Sequence, residues 1–125
     1  GAPDDLPGHE EKAVLGALDM RRRLAELNRR RAGRGEVPVA HGVGVHTGEV
    51  LAGSVGSPER LVYALVGDTV NVASRIQDLN KRFGTDILVS EVTRDRVKSG
   101  DLRFESLGQT QLRGKRKELE VFRLL

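Results

Sequence analysis

The chain has 125 residues, a formal net charge of +3 and 38% hydrophobic residues. This length suits one small domain or part of a larger one, and with no Trp, one Tyr and three Phe the core must be mainly aliphatic. The absence of cysteine excludes disulfides and thiolate metal sites and is compatible with a cytoplasmic location. No apolar run approaches the roughly 20 residues that a membrane-spanning helix needs.

After a Pro/Gly/Asp-rich loop, a long helix is predicted from about His9 to Arg31, ending at Gly33 and Gly35. Apolar residues at steps of three and four predict its buried stripe: Ala13, Ala17, Met20, Leu24 and Leu27. Seven arginines lie between Arg21 and Arg34. We interpret them as a solvated helix end whose cations complement the dipole, with an anionic partner as the alternative.

A half-buried strand is predicted over 37–45, because valines alternate there with small or polar residues. Gly42 and Gly44 share the opposite face, where another element could pack closely. Residues 48–60 are rich in turn formers, and "LVYALV" at 61–66 predicts the next strand.

Asp68 is the expected N-cap of a second helix, from about Thr69 to Phe83, which Gly84 would end. Its predicted buried stripe consists of Val72, Ile76, Leu79 and Phe83. A strand at 86–90, a short helix at 91–100 and two strands at 103–113 and 117–125, joined by a turn at 114–116, complete the order. The pattern predicts an α+β fold with helices packed on one face of a sheet.

The glycine-rich segments fail as phosphate loops. "GVGVHTG" has Thr47 where a dinucleotide fingerprint requires its third glycine, and "GEVLAGSV" has Ser54 where a Walker motif requires lysine. His41 and His46 lie five apart in the predicted strand and point to opposite faces, so we interpret them as structural rather than metal-binding.

Asn71 and Arg75 share one face of the second helix, beside its apolar stripe. The N-terminal end of a helix favours anions, and a guanidinium can hold a phosphate through two hydrogen bonds. The alternative is an ordinary first-turn Asn with an Arg that extends to solvent. Residue types and spacing alone leave both interpretations open.

The string "HGVGVHTGEVLAGSVGSPERLVYALVGDTVNVASRIQDLN", followed by "ILVS", "FESLG" and "LRGKRKELEVFRL", closely resembles the class III adenylyl/guanylyl cyclase catalytic domain. The resemblance covers nearly all of the chain and implies the ferredoxin-like class III cyclase fold. It implies conversion of a nucleoside triphosphate into its 3′,5′-cyclic monophosphate and pyrophosphate. The chain looks most like a bacterial adenylyl cyclase, which implies ATP as substrate.

The resemblance also implies residue roles. Asn71 matches the Asn that orients the ribose, and Arg75 matches the Arg that stabilises charge on the α-phosphate. Arg113 stands where many relatives have a Lys for the terminal phosphates, with Lys115 as a second candidate. Ala64 occupies a base-reading position and can make no side-chain hydrogen bond, which leaves a guanylyl cyclase as an alternative.

The family binds Mg²⁺ or Mn²⁺ through two aspartates in motifs that this chain lacks, and Asp4 and Asp5 do not match them. We therefore expect residues 1–125 to be the C-terminal part of one catalytic domain, lacking its N-terminal strands and inactive alone. Family members form head-to-tail dimers with shared sites, so a homodimer or a complementing N-terminal half is the expected partner. A degenerate domain for nucleotide sensing or dimerisation is the non-enzymatic alternative.

Overall fold

A computed structural model describes residues 7–49, 51–55, 62–66, 68–115 and 117–125, with the backbone alone for 51–55 and 62–66. These residues form three helices and six strands. In chain order they are α1 (His9–Gly33), β1 (Val43–Val45), β2 (Leu51–Val55), β3 (Val62–Val66), α2 (Asp68–Phe83), β4 (Ile87–Ser90), α3 (Glu91–Arg96), β5 (Phe104–Gln111) and β6 (Glu118–Leu124).

Four strands form one sheet in the order β1-β4-β6-β5. β1 runs parallel to β4, with Gly44 opposite Leu88, and the other neighbours are antiparallel. β2 and β3 form a separate antiparallel hairpin. All four residues of β4 are buried, as expected for a strand covered on both faces.

The α+β class is confirmed, but the helices do not lie on one face as predicted. Ile87 and Val89 of β4 pack with Val14 of α1 in one apolar cluster. Leu88, between them, packs with Ile76 of α2 in a second cluster. Because successive side chains of a strand point to opposite faces, α1 and α2 cover opposite faces of the sheet.

The predicted stripe of α1 is rotated from the observed one. Val14 and Ala17 are buried, whereas Ala13 and Met20 are exposed. Ala17 is in helical phase with both Ala13 and Val14, and the larger apolar surface of Val14 faces the core. Leu24 and Leu27 of the predicted stripe are half-buried.

The predicted strand over 37–45 is wrong in its first half. Only Val43–Val45 form a strand, and Val37 is 75% exposed. Pro38 has no N–H for a sheet, and the Asn28 side chain takes both the N–H and the C=O of Val39, at 2.7 and 2.8 Å. The backbone there is thus satisfied by α1 and needs no neighbouring strand.

The segment predicted as turns, 48–60, contains strand β2, which pairs with β3 from Leu51 opposite Val66 to Val55 opposite Val62. The predicted strand at 61–66 is confirmed at Val62–Val66. α2 begins at Asp68, so this residue lies in its first turn rather than at the predicted N-cap. The predicted end of α2 at Phe83 is confirmed to the residue, and the last strands are confirmed within two residues. The short helix begins at Glu91 as predicted and ends at Arg96, four residues early.

The arginine-rich end of α1 carries its own counter-charges. Arg23 bonds Asp19 at 2.9 Å, and both Arg31 and Arg34 contact Glu36, at 2.9 and 2.5 Å. These pairs support the interpretation of a solvated helix end over an anionic partner. None of the helices in the described part of the chain is both long and apolar enough to cross a bilayer.

Arg21 joins α1 to the sheet. Its Nε and Nη2 bond the two carboxylate oxygens of Asp86 at 2.7 and 2.8 Å, and its guanidinium also donates to the carbonyls of Leu124 and Leu125. The hydrogen bond from Arg21 is the main cause that lowers the pKa of Asp86 below its usual 3.8. Such bidentate pairs are stronger than single-contact ion pairs.

The Asp86 ion pair predicts a pH-dependent contribution to stability. Because the folded-state pKa is lowered, the contribution is present above the unfolded pKa of about 3.8 and is lost as pH falls through the folded pKa. We therefore expect Asp86→Asn to lower the urea midpoint at pH 7 and to show a smaller deficit at pH 3, below the unfolded pKa of about 3.8. Asp19→Asn, in an exposed ion pair, is the control and should change little at either pH. An Asp86→Asn deficit of equal size at both pH values would contradict this assignment.

Candidate functional site

Asn71 and Arg75 lie together on α2, beside the buried face of this helix. Val72 and Ile76, their neighbours in sequence, are buried in the cluster against β4 and β6. Asn71 is exposed and makes no side-chain hydrogen bond to any residue that the structure describes. The Arg75 side chain is 42% exposed, and its one ion pair among the described residues is with Asp78, at 3.8 Å. Both side chains are therefore available at the surface of a well-anchored helix.

α2 packs directly on the backbone of β1. A Cβ on Gly44 would lie 2.5 Å from the backbone N of Gln77 and 2.6 Å from the carbonyl O of Ala73, and one on Gly42 would meet the Gln77 side chain at 2.7 Å. The predicted close packing at these two glycines is confirmed. Since only glycine permits this approach, β1 fixes the height of α2 above the sheet.

The loop after β1 also holds the first turn of α2. The Thr69 hydroxyl donates to the carbonyl of Glu49 at 2.6 Å. This hydrogen bond fixes the N-terminal end of the helix, six residues before Arg75. The positive end of the helix dipole therefore has a defined position next to the Asn71 and Arg75 side chains.

The turn between β5 and β6 reaches the same end of α2. The Lys115 N–H donates to the Leu112 carbonyl at 3.0 Å, and Gly114 has φ +78°. A positive φ at the third position of a four-residue turn is what a type II turn requires. The Lys115 ammonium forms an ion pair with Asp68 in the first turn of α2.

Arg113 occupies the second position of this turn and is exposed. It lines a groove of about 570 Å³ between the C-terminal half of α2 and the β5–β6 hairpin. Arg82 and Lys115 line the same groove, and Arg82 lies two helical turns from Arg75 on the same face. Arg75, Arg82, Arg113 and Lys115 thus place four cations along one side of α2.

A second cleft, of about 450 Å³, lies on the other side of Lys115. It is lined by His46, Asp68, Val72, Ser90, Glu91, Val92, Leu112, Lys115, Lys117, Glu118 and Leu119. His46 Nδ1 is hydrogen-bonded to the buried Ser90 hydroxyl at 2.7 Å, and Ser90 continues to Thr93 at 3.3 Å. Burial lowers the pKa of His46 below its usual 6.5, while the charge of Asp68 acts in the opposite direction.

The prediction that both histidines project from one strand is wrong, because β1 contains neither His41 nor His46, and their structural role stays a prediction. His46 belongs to the hydroxyl network, and His41 lines a different cleft beside Asp86. Sequence reasoning missed Ser90 and Thr93, although a serine that ends the apolar run "ILVS" was a usable signal.

Ala64 lies in β3, opposite Gly53 of β2. It is thus on the β2–β3 hairpin. Among the residues that the structure describes, no group of three or more His, Cys, Asp or Glu side chains could hold a metal ion. Asp4 and Asp5 lie outside the described residues.

Comparison with known families gives one match over the whole chain. The model of the "Adenylate and Guanylate cyclase catalytic domain" matches residues 1–125. Adenylate cyclase 1 of Rhizobium meliloti (strain 1021) is 36% identical over 117 residues, which cover 94% of this chain and 17% of that protein. Adenylate cyclase of Anabaena cylindrica is 38% identical over 88 residues, or 67% of this chain and 18% of that protein.

Solved structures show the same architecture. The guanylyl cyclase Cya2 superposes with a TM-score of 0.82 at 29% identity, over 99% of this chain and 61% of that one. The adenylyl cyclase CyaB from P. aeruginosa gives 0.85 at 22% identity, over 100% of this chain and 64% of that one. The chain therefore spans less than a fifth of these curated relatives and less than two thirds of these solved chains.

Proposed function

Because the chain belongs to the family of adenylate and guanylate cyclase catalytic domains, we propose that its protein converts ATP into 3′,5′-cyclic AMP and pyrophosphate. One observation carries the proposal: Asn71 and Arg75 stand side by side, exposed, on a helix whose position β1 fixes. In this reaction the ribose 3′ oxygen attacks the α-phosphorus, and the bond from that phosphorus to the pyrophosphate oxygen breaks.

Arg75 acts on the reacting phosphate. Negative charge develops on the α-phosphoryl oxygens as the new bond forms, and a guanidinium held in advance stabilises that charge without reorganisation. The Asn71 amide, one turn earlier, donates to and accepts from the ribose and so holds the 3′ oxygen in line. The weak contact of Arg75 with Asp78, at 3.8 Å, leaves its donors available for this role.

Arg113 holds the terminal phosphates. It is exposed at a rigid turn whose Leu112 is buried in the core, so its backbone is fixed while its side chain reaches outward. A guanidinium fork matches phosphate oxygens, and the departing pyrophosphate gains charge that it can neutralise. Lys115 adds positive charge to the same turn but is already paired with Asp68.

ATP is preferred over GTP in this proposal because the curated relatives from Rhizobium meliloti and Anabaena cylindrica are adenylate cyclases. Ala64 supplies no side-chain hydrogen bond for either base, so discrimination must rest on other groups. Cya2, a guanylyl cyclase, has nearly the same fold, and thus the fold does not decide between the bases.

Residues 1–125 are, in this proposal, the C-terminal part of the catalytic domain of a cytoplasmic enzyme. In this proposal, residues beyond those described supply the ligands for Mg²⁺ or Mn²⁺, and no step above depends on them. A head-to-tail homodimer would bring those ligands to the Asn71–Arg75 face.

The test is cyclic nucleotide formation by the full-length protein with ATP and GTP, each with Mg²⁺ or Mn²⁺. We expect cyclic AMP as the main product, and a loss of kcat of about tenfold in Asn71→Ala, which corresponds to one hydrogen bond to the ribose. Cyclic GMP as the main product would overturn the choice of ATP. Nucleotide binding without turnover under all four conditions would overturn the proposed enzymatic activity and favour a nucleotide-sensing domain.

A further inference from the structure

The Asp68–Lys115 ion pair joins two elements that are 47 residues apart in sequence. Asp68 is in the first turn of α2, one turn before Asn71, and Lys115 closes the turn that carries Arg113. It is the ion pair that connects these two segments within the described part of the chain. The Lys115 side chain is 33% exposed and Asp68 is 68% exposed, so the pair lies at the surface between the groove and the cleft.

The turn is stiff in itself. Its first residue, Leu112, is buried to 1% exposure in the cluster below α2, and the Gln111 side chain donates to the Lys115 carbonyl at 3.0 Å. Arg113 therefore cannot move far without Lys115, and Lys115 is held by α2. The positions of Arg113 and of the Asn71–Arg75 face are thus linked through one side-chain contact.

A carboxylate next to a triphosphate site has an electrostatic cost. The negative charge of Asp68 would repel phosphate oxygens bound near the first turn of α2. The carboxylate is favourable in the first turn of α2, where it complements the helix dipole. It also has a partner of opposite charge, since the Lys115 ammonium forms an ion pair with it.

We propose that Asp68 and Lys115 are a positioning pair: the ion pair sets the distance between the phosphate-binding Arg113 and the ribose- and α-phosphate-binding face of α2. Lys115 acts through Arg113 and is not itself a ligand of the terminal phosphates. The inference rests on the proposed function, since it assigns how that site is held in shape.

The two roles of Lys115 predict opposite changes in the KM of Asp68→Asn. If Lys115 binds phosphate directly, removal of Asp68 releases its ammonium and removes a repulsive charge, so KM falls. If the pair positions Arg113, the same substitution loosens the turn and KM rises, by about fivefold, which is typical of a coupled surface contact. KM is the right quantity because a smaller fraction of folded enzyme lowers the apparent kcat but does not change KM.

The experiment compares four variants in the full-length protein: Asp68→Asn, Lys115→Met, the double variant and Lys117→Met. Lys117 lines the same cleft two residues further on, and so it controls for the loss of one positive charge. We expect similar rises in KM for both single variants, no further rise in the double variant, and a change of less than about twofold for Lys117→Met. Lys115→Arg, which can keep the ion pair, should restore most of the wild-type KM.

An unchanged or lower KM in Asp68→Asn would overturn the inference, and so would single-variant effects that multiply in the double variant. An equal rise of KM in Lys117→Met would also overturn it, because the loss of any one positive charge from the cleft would then explain the effect. The Arg75→Ala variant separates this failure from that of the proposed function. If Arg75→Ala is inactive while Asp68→Asn has a normal KM, the positioning role alone is wrong; if Arg75→Ala is fully active, the proposed function is wrong.

Discussion

Arg75→Ala should reduce kcat for cyclic nucleotide formation by about a hundredfold to a thousandfold, the usual effect of removing one preorganised donor from a developing anion. KM should change far less, because the interaction strengthens mainly as charge accumulates in the transition state. Steady-state kinetics of the full-length protein with saturating metal measure both quantities. The side chain is 42% exposed, so its removal should leave the melting temperature nearly unchanged.

Two further variants sharpen the test of Arg75. Lys81→Ala removes an exposed cation from another face of α2 and should leave kcat within about twofold of wild type. Arg75→Lys keeps the charge but loses the planar fork, so its kcat should lie between those of wild type and Arg75→Ala. More than about a tenth of wild-type kcat in Arg75→Ala would contradict a transition-state role.

Gly44→Ala should destabilise the fold by about 3 kcal/mol, at the upper end of the range for overpacking. The added methyl would lie 2.5 Å from the Gln77 N, 2.6 Å from the Ala73 O and 2.9 Å from the Gln77 Cα. All three are backbone atoms of α2, so no side-chain rotation can relieve the contact. The helix or β1 must move, and the Asn71–Arg75 face moves with it. Urea unfolding gives the free energy, and the folded fraction should also have a lower kcat.

Gly16→Ala is the matched control for this substitution. Gly16 lies in the middle of α1, and a Cβ there would meet nothing within 4 Å. Removing a helix-interior glycine should stabilise the protein by about 0.5 to 1 kcal/mol. The two Gly→Ala changes should therefore have opposite signs. If Gly44→Ala unfolds at the same urea concentration as wild type, α2 does not rest on β1 as the structure shows.

Local pattern was sufficient where an element buries its own periodic face. The stripe of α2 and the run "ILVS" both predicted elements that the structure contains. Local pattern failed where a residue distant in sequence determines the local structure. The Asn28 side chain satisfies the backbone at Val39 and ends the predicted strand, and β2 is defined only by its pairing with β3. In α1, both Ala13 and Val14 lie on the same side of the helix as Ala17, and local pattern did not show which of the two faces the sheet.

For the site, helical spacing correctly placed Asn71 and Arg75 together beside the buried stripe. Their chemical roles came from the resemblance and not from spacing, which also fits a solvent-exposed Arg. The contact of Asp68 with Lys115 had no sequence signal, because neither residue is in a periodic relation with the other across 47 positions. Such contacts arise from the way the hairpin folds back over α2.

The glycine contact between β1 and α2 has a mechanical consequence. No side chain lies between the backbone of Gly44 and the backbone of α2. A small displacement of the strand cannot be absorbed by side-chain rotation, so β1 and α2 move together as one rigid unit. In the proposed enzyme, a stimulus that displaces the Asn71–Arg75 face must therefore displace α2 and β1 together. A displacement of α2 relative to its own sheet is resisted by the backbone contact at Gly44.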